Sequence, residues 1–208
     1  SDQSIVYNDS LMAVGYSSEY VHQILINGQP ITLDKQNGFS KSVQLDYGKQ
    51  LVTFDIVTKN GKKLTYYARL LSIRRFSDIP KSASYRRDVE FLATLGFITG
   101  KEDGLFHADD TMSRRDVTVQ IAKLQKLTPK ILVSDPFLDL NATDDDAGLI
   151  SAAVDAGIVV AFSDGTFRPD ELVSVEDAFK MLNNSGVIDS DELVVNDSPI
   201  KRFEFAMF

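Results

Sequence analysis

The stretch from Phe76 to Leu127 spells out helix, turn, helix, and each boundary carries the residue type that backbone chemistry selects. Tyr85, Val89, Leu92 and Leu95 recur at spacings of three and four, placing one apolar stripe on a helix that ends at Gly96, the residue suited to a left-handed C-terminal conformation. After the Asp103-Gly104 turn and the apolar Phe106, Ser113 stands three residues before Asp116. That spacing is a capping-box start for a second helix carrying Val117, Ile121 and Leu124. The same grammar returns from Phe137 to Leu182, with Gly157 for Gly96, Asp164-Gly165 for Asp103-Gly104, Phe167 for Phe106, and Ser174 with Asp177 for the cap. The period, Ser113 to Ser174, is 174 − 113 = 61 residues. A shortened third copy follows, in which Gly186-Val187-Ile188 repeats the helix end and Val194 precedes Lys201 by the same seven residues as Phe106 precedes Ser113. Units this small cannot bury their apolar faces alone, so they must stack on one another.

These residues resemble S-layer homology domains, whose repeats read roughly F-x-D, an aromatic-led helix, G-I-I-x-G, D-G-x-F-x-P and T-R-A-E. Phe76-Ser77-Asp78 and Phe137-Leu138-Asp139 match the opening, and Asp164-Gly165-Thr166-Phe167-Arg168-Pro169 matches the middle. Ser113-Arg114-Arg115-Asp116 and Lys201-Arg202-Phe203-Glu204 are variants of the last element. The resemblance covers residues 74–208, about two-thirds of the chain, as repeats at about 76–127, 137–182 and a shortened 183–208. It implies an all-α, pseudo-threefold helical bundle. Its central helices would begin near Ser113, Ser174 and Lys201 and bury Val117, Ile121, Ala178, Met181, Leu182 and Phe205.

From Ser4 to Ile73 the apolar period changes to two, with Ile24 and Ile26, Ile31 and Leu33, Val43 and Leu45, then Leu51 to Val57 and Leu64 to Leu70. Asn27-Gly28 and Asn60-Gly61 are dipeptides that tight hairpins require, and Asn37-Gly38 and Tyr47-Gly48 mark looser turns. Residues 1–73 are therefore expected to form a small antiparallel β-sandwich, similar to the immunoglobulin-like repeats of bacterial surface proteins. The fold class expected is α+β in two domains, sandwich first and helical region after.

The chain has 208 residues, 43% of them hydrophobic, enough for two modest cores. Lys and Arg against Asp and Glu number 7 to 6 over residues 1–72, 11 to 8 over 73–130 and 4 to 16 over 131–208, which sums to the net −8. Nucleic acid is a poor partner for so acidic a C-terminal half. No apolar run reaches bilayer length and the first residues, Ser1-Asp2-Gln3, show no signal-peptide pattern, so the chain reads as a mature form or an excised fragment, with no transmembrane segment. The lack of cysteine fits an exported bacterial protein.

Catalysis has no visible centre, since His22 and His107 are the only histidines and neither sits in a recognisable triad motif. The expectation is a non-enzymatic protein without cofactor. Asp139, Asn141 and Thr143 imitate the start of a calcium loop, but Asp144 and Ile150 stand where Gly and Glu are needed, so no metal site is expected.

The family resemblance implies a site. In S-layer homology domains the motif arginine, the F-x-D aspartate, an aromatic of the first helix and nearby glycines line grooves that bind cell-wall polysaccharide, often one bearing pyruvate ketals. Carried over by position, these are Asp78, Tyr85, Gly96, Gly100, Arg114 and Arg202, with Asp139 and Gly157. The second repeat departs from the pattern, with Asp146 at the aromatic position, Ala161 for the second glycine and Val175 for the arginine. Binding is accordingly expected at the first repeat, with Arg114 as its guanidinium. The implied protein is an extracellular, cell-envelope protein anchored to wall polysaccharide. The alternative is an assembly module that self-associates or contacts surface-layer partners, its glycan binding lost.

Overall fold

The computed structural model describes residues 4–189 and 196–208. The chain divides into two compact units, Ser1–Arg75 and Phe76–Phe208. Val194, the counterpart of Phe106 by spacing in the third copy, lies outside the described residues.

The first unit contains β1 (Ser4–Val6), β2 (Ser10–Tyr16), β3 (Val21–Ile26), β4 (Gln29–Pro30), β5 (Gly38–Gln44), β6 (Gly48–Thr58) and β7 (Lys63–Ser72). One sheet runs β1-β7-β6-β3-β4, and β2 pairs with β5 in a second. The backbone of the β6–β7 hairpin is bent by Asn60-Gly61, where Gly61 takes φ +83°, and Asn27-Gly28 (φ 48° and 76°) links β3 to β4. Alternate residues of both sheets, Ala13, Ile26, Val43, Val52 and Leu70 among them, meet in one apolar cluster.

Two features correct the expected antiparallel sandwich. β1 runs parallel to β7, Ser4 opposite Leu70, and no strand forms at Ile31 and Leu33. Beyond Pro30 the chain turns because the Asp34 carboxylate accepts the N–H groups of Gln36 (2.8 Å) and Gly38 (2.7 Å), a local alternative to a ladder.

The second unit contains α1 (Arg86–Thr94), α2 (Arg114–Leu124), α3 (Ala147–Asp155), α4 (Val175–Asn184) and α5 (Arg202–Phe205). Gly96, Gly157 and Gly186, at φ +79°, +72° and +72°, close α1, α3 and α4 in the left-handed conformation that side chains disfavour. Ser113 and Asp116 form a reciprocal capping box on α2, and the Ser174 hydroxyl accepts the Asp177 N–H at the head of α4. Two apolar clusters fill the unit. The larger holds α2, α3 and α4, and the smaller packs Val89 and Ala93 of α1 against Phe76, Ile79, Ile98 and Phe106.

The all-α bundle is not what forms. Among the described residues helix makes up 22%, in five short segments, against 27% strand. The six residues expected at the helical centre are indeed buried in one cluster, and backbone also joins the three repeats. Met112 N–H donates to the Ile200 carbonyl (2.9 Å), Ile200 N–H to Val173 (2.8 Å), and Val173 N–H back to Met112 (3.2 Å). The extended residue pairs Thr111 with Lys201, Ser113 with Leu172, and Ser174 with Pro199 flank this ring. Helices of four to eleven residues bury little each, so the extended segments ahead of their caps share the association with the apolar cluster.

Candidate functional site

One clamp is built twice. In the first copy Phe76 packs on Phe106 with ring centroids 5.3 Å apart, and in the second Phe137 packs on Phe167 at 5.5 Å. Two residues after each leading phenylalanine an aspartate reaches across to the loop. Asp78 accepts the N–H groups of Phe106 (3.0 Å) and His107 (2.7 Å), and Asp139 those of Phe167 (2.8 Å) and Arg168 (2.7 Å). His107 and Arg168 both hold positive φ, 54° and 58°, and the two amide bonds secure that strained bend. This use of Asp139 also answers the calcium-like spelling, since both carboxylate oxygens are engaged by backbone N–H groups.

The other side of each loop is held by an arginine from a different repeat. Arg202 donates from Nε to the Phe106 carbonyl (2.8 Å) and from Nη2 to Thr99 (2.6 Å), with its guanidinium 4.8 Å from the Phe106 ring. Arg114 does the same to Phe167 (2.9 Å) and Val160 (2.6 Å), 5.0 Å from the Phe167 ring and 4.9 Å from Phe162. Desolvation lowers the pKa of both guanidiniums, and nearby carboxylates oppose it, Glu171 and Asp177 for Arg114 and Asp116, Asp110 and Asp78 for Arg202.

This exchange corrects the expected grouping. Arg114 belongs with Asp139 and the Gly157 end of α3, in the second repeat, whereas Arg202 belongs with Asp78 in the first. Tyr85 joins the Arg202 side, stacking on Phe203 with centroids 4.6 Å apart. Gly96 lies exposed beyond α1 and Gly100 follows Thr99, whose carbonyl Arg202 holds. So the structure brings Asp78, Tyr85, Gly100 and Arg202 to one clamp, and Asp139 and Arg114 to the other. Val175 is buried in the core, its N–H bonded to Ser198.

The two clamps differ in what surrounds them. The first clamp carries Ser77 next to Asp78 in the chain, Thr99 and Gly100 at the carbonyl Arg202 holds, and Thr111 paired with Lys201, and the cavity beside the Arg202 stem, lined by Ile98, Met112, Gln120 and Phe205, is only about 10 Å³. A ligand there would lie on the surface. The corresponding positions near Arg114, a period of 61 residues on, are Leu138, Val160, Ala161 and Leu172. Leu138, Val160 and Leu172 are 82%, 75% and 52% exposed.

Several contributors escaped the sequence reading. Arg115 pairs with Asp146 (2.5 Å) and approaches Asp144 (3.6 Å), so the acidic residue at the aromatic position of repeat two is neutralised rather than left to repel anions. The basic pair Arg114-Arg115 facing an acidic run was the available signal. Gln120 donates to the Phe97 carbonyl within the first repeat, and Gln125 donates to Ser185 (2.5 Å), tying the end of α2 to the end of α4. Nothing in the spelling singles these out. Lys201 has no acceptor with which to cap α5, and its Nζ pairs instead with Asp109 (3.0 Å) while its N–H donates to Glu204 (2.8 Å).

A loop pinned by an aspartate of its own repeat and an arginine of another defines a class of interlocked repeat module. Residues 75–118 and 136–179 match the family model of the S-layer homology domain. A "Surface layer protein" of Brevibacillus choshinensis is 28% identical over 103 residues, covering 48% of this chain and 9% of that protein. A "Middle cell wall protein" of Brevibacillus brevis is 26% identical over 103 residues, 48% of this chain and 10% of that one. The chain thus spans about a tenth of the length of these relatives. A solved polysaccharide lyase overlaps 91% of this chain and 30% of its own at 13% identity, but its TM-score of 0.26 is too low to bear on fold or chemistry.

Proposed function

We propose that this chain is a structural cell-envelope protein that attaches non-covalently to a wall-associated polysaccharide through its S-layer homology domains. The observation carrying this reading is that the arginine clamp is built twice, on the F-x-D aspartate and phenylalanine loop of each of the two stretches that match the family, and only the Arg202 copy keeps a polar rim. The names of the two Brevibacillus relatives support a place at the cell surface.

The polysaccharide contacts lie at Asp78, Tyr85, Gly96, Gly100 and Arg202. Among the described residues Arg202 Nη1 has no protein acceptor, and an anionic substituent such as a pyruvate ketal would meet it there. Asp139, Gly157 and Arg114 would serve a second, weaker contact. A rival role, protein contact within a surface layer, draws on the exposed Leu138, Val160 and Leu172 around Arg114.

Co-sedimentation with purified wall sacculi, with and without their attached polymer, tests the proposal. Polymer-dependent pelleting is expected. Equal pelleting with stripped sacculi, or none with either, would favour the rival.

A further inference from the structure

The sheet edges of the N-terminal unit are guarded unequally. β4 has two residues, one of them Pro30, and β1 has three. β3 is interrupted by a register shift between Val21 and Gln23. β5 carries Lys41 opposite the buried Ala13, a charge on the inward face. Each of these features discourages an incoming strand. β2, SLMAVGY, has seven residues without charge, proline or register shift, and β5 covers one side of it only. Met12, Val14 and Tyr16 on its outer face are 60%, 67% and 83% exposed. Beside it opens an apolar slot of about 340 Å³ between the two sheets, lined by Val6, Leu11, Ala13, Val52, Phe54 and Leu70.

We infer that β2 is an interaction edge and that its occupant is β2 of a second copy of this chain, paired antiparallel about a twofold axis at Ala13. Three properties of the strand favour its own copy. First, the phase of its hydrogen bonds is right. The bonds Leu45 N–H to Asp9 (2.7 Å) and Ser17 N–H to Asn37 (2.8 Å) bracket the β2–β5 ladder, so the odd residues face β5 and the backbone groups of Ser10, Met12, Val14 and Tyr16 face outward. An axis at Ala13 sets Met12 opposite Val14 and Ser10 opposite Tyr16, all outward-facing, for about eight new backbone bonds. Second, the side chains are complementary in size, with Leu11 meeting Gly15, Tyr16 meeting Ser10, and Ala13 meeting itself. Third, an uncharged strand meets its copy without like-charge opposition, and residues 1–72, at 7 basic against 6 acidic, hold almost none of the net −8. An isologous contact of this kind closes at two copies and does not propagate into a fibre.

Sedimentation equilibrium of the whole chain is the test, together with the doubly substituted Met12→Lys/Val14→Lys protein. Both positions are solvent-exposed, so circular dichroism and melting should match the parent, while across the axis the four lysines crowd together. The parent should dimerise within a range reaching about 1 mM, and the lysine variant should dissociate at least about tenfold more readily. Mixing it with Met12→Glu/Val14→Glu should restore pairing. Amide exchange should slow with rising concentration at Met12 and Val14. A parent that stays monomeric throughout, a lysine variant as dimeric as the parent, or concentration-dependent protection elsewhere would each overturn the inference.

Discussion

Arg114 and Arg202 are structural first, because each spends two donors on carbonyls of a loop from another repeat. Truncating either to alanine removes two charge-assisted bonds, and a loss of about 1.5–3 kcal/mol in unfolding free energy is expected. The two should part company in binding. Arg202→Lys keeps a charge but not the planar fork, and calorimetric titration with wall-polymer fragments should show at least about tenfold weaker affinity, whereas Arg114→Lys should change it about twofold or less. Equal affinities would dissociate the site from Arg202. A second residue-scale effect concerns acid. Asp164 is held at about 2 by the Thr166 hydroxyl and amide and by Arg168. A carboxyl depressed in the folded state stabilises above its ordinary value near 3.8, and that stabilisation is lost as pH falls toward 2. Melting temperatures should drop across this window, and Asp164→Asn should flatten the slope.

Short helices survive here because their ends are held, and α3 shows the tightest case. Gly148 in its first turn faces the backbone of Lys130, whose N–H donates to the Gly148 carbonyl (3.0 Å), and a Cβ at Gly148 would sit inside van der Waals distance of the Lys130 carbonyl oxygen. Gly148→Ala should cost about 1–3 kcal/mol despite the better helix propensity of alanine, readable by chemical denaturation. A stabilised variant would show that the 128–132 segment yields. The helices themselves were legible from apolar spacing, the glycines that close them and the serine caps, since these are local. The clamps were legible only in part. The F-x-D aspartates and motif arginines could be named, yet which arginine serves which loop is decided by the path of the chain between repeats. The strands at Ile31 and Leu33 were misread because period two is also satisfied by a turn wrapped around Asp34. The parallel β1 depends on where the first residues return, which no local pattern encodes.

At the scale of the molecule, the acidic surplus and the two stretches that match the S-layer homology domain lie in the second unit, and that unit depends on a very short third repeat. Ile200 is fully buried and closes the Met112–Val173–Ile200 ring. Chains ending after residue 195 should lose cooperative melting and amide dispersion in the second unit, while the β-sheet unit keeps its own transition. Retained cooperativity would show that two repeats suffice. The ring also sets an order in time. Synthesis runs from the N-terminus, so Met112 and Val173 are made well before their common partner, and the loop to be closed spans most of the unit. Until Ile200 leaves the ribosome the ring stays open, so the second unit cannot close its backbone circuit while its first two repeats are being made.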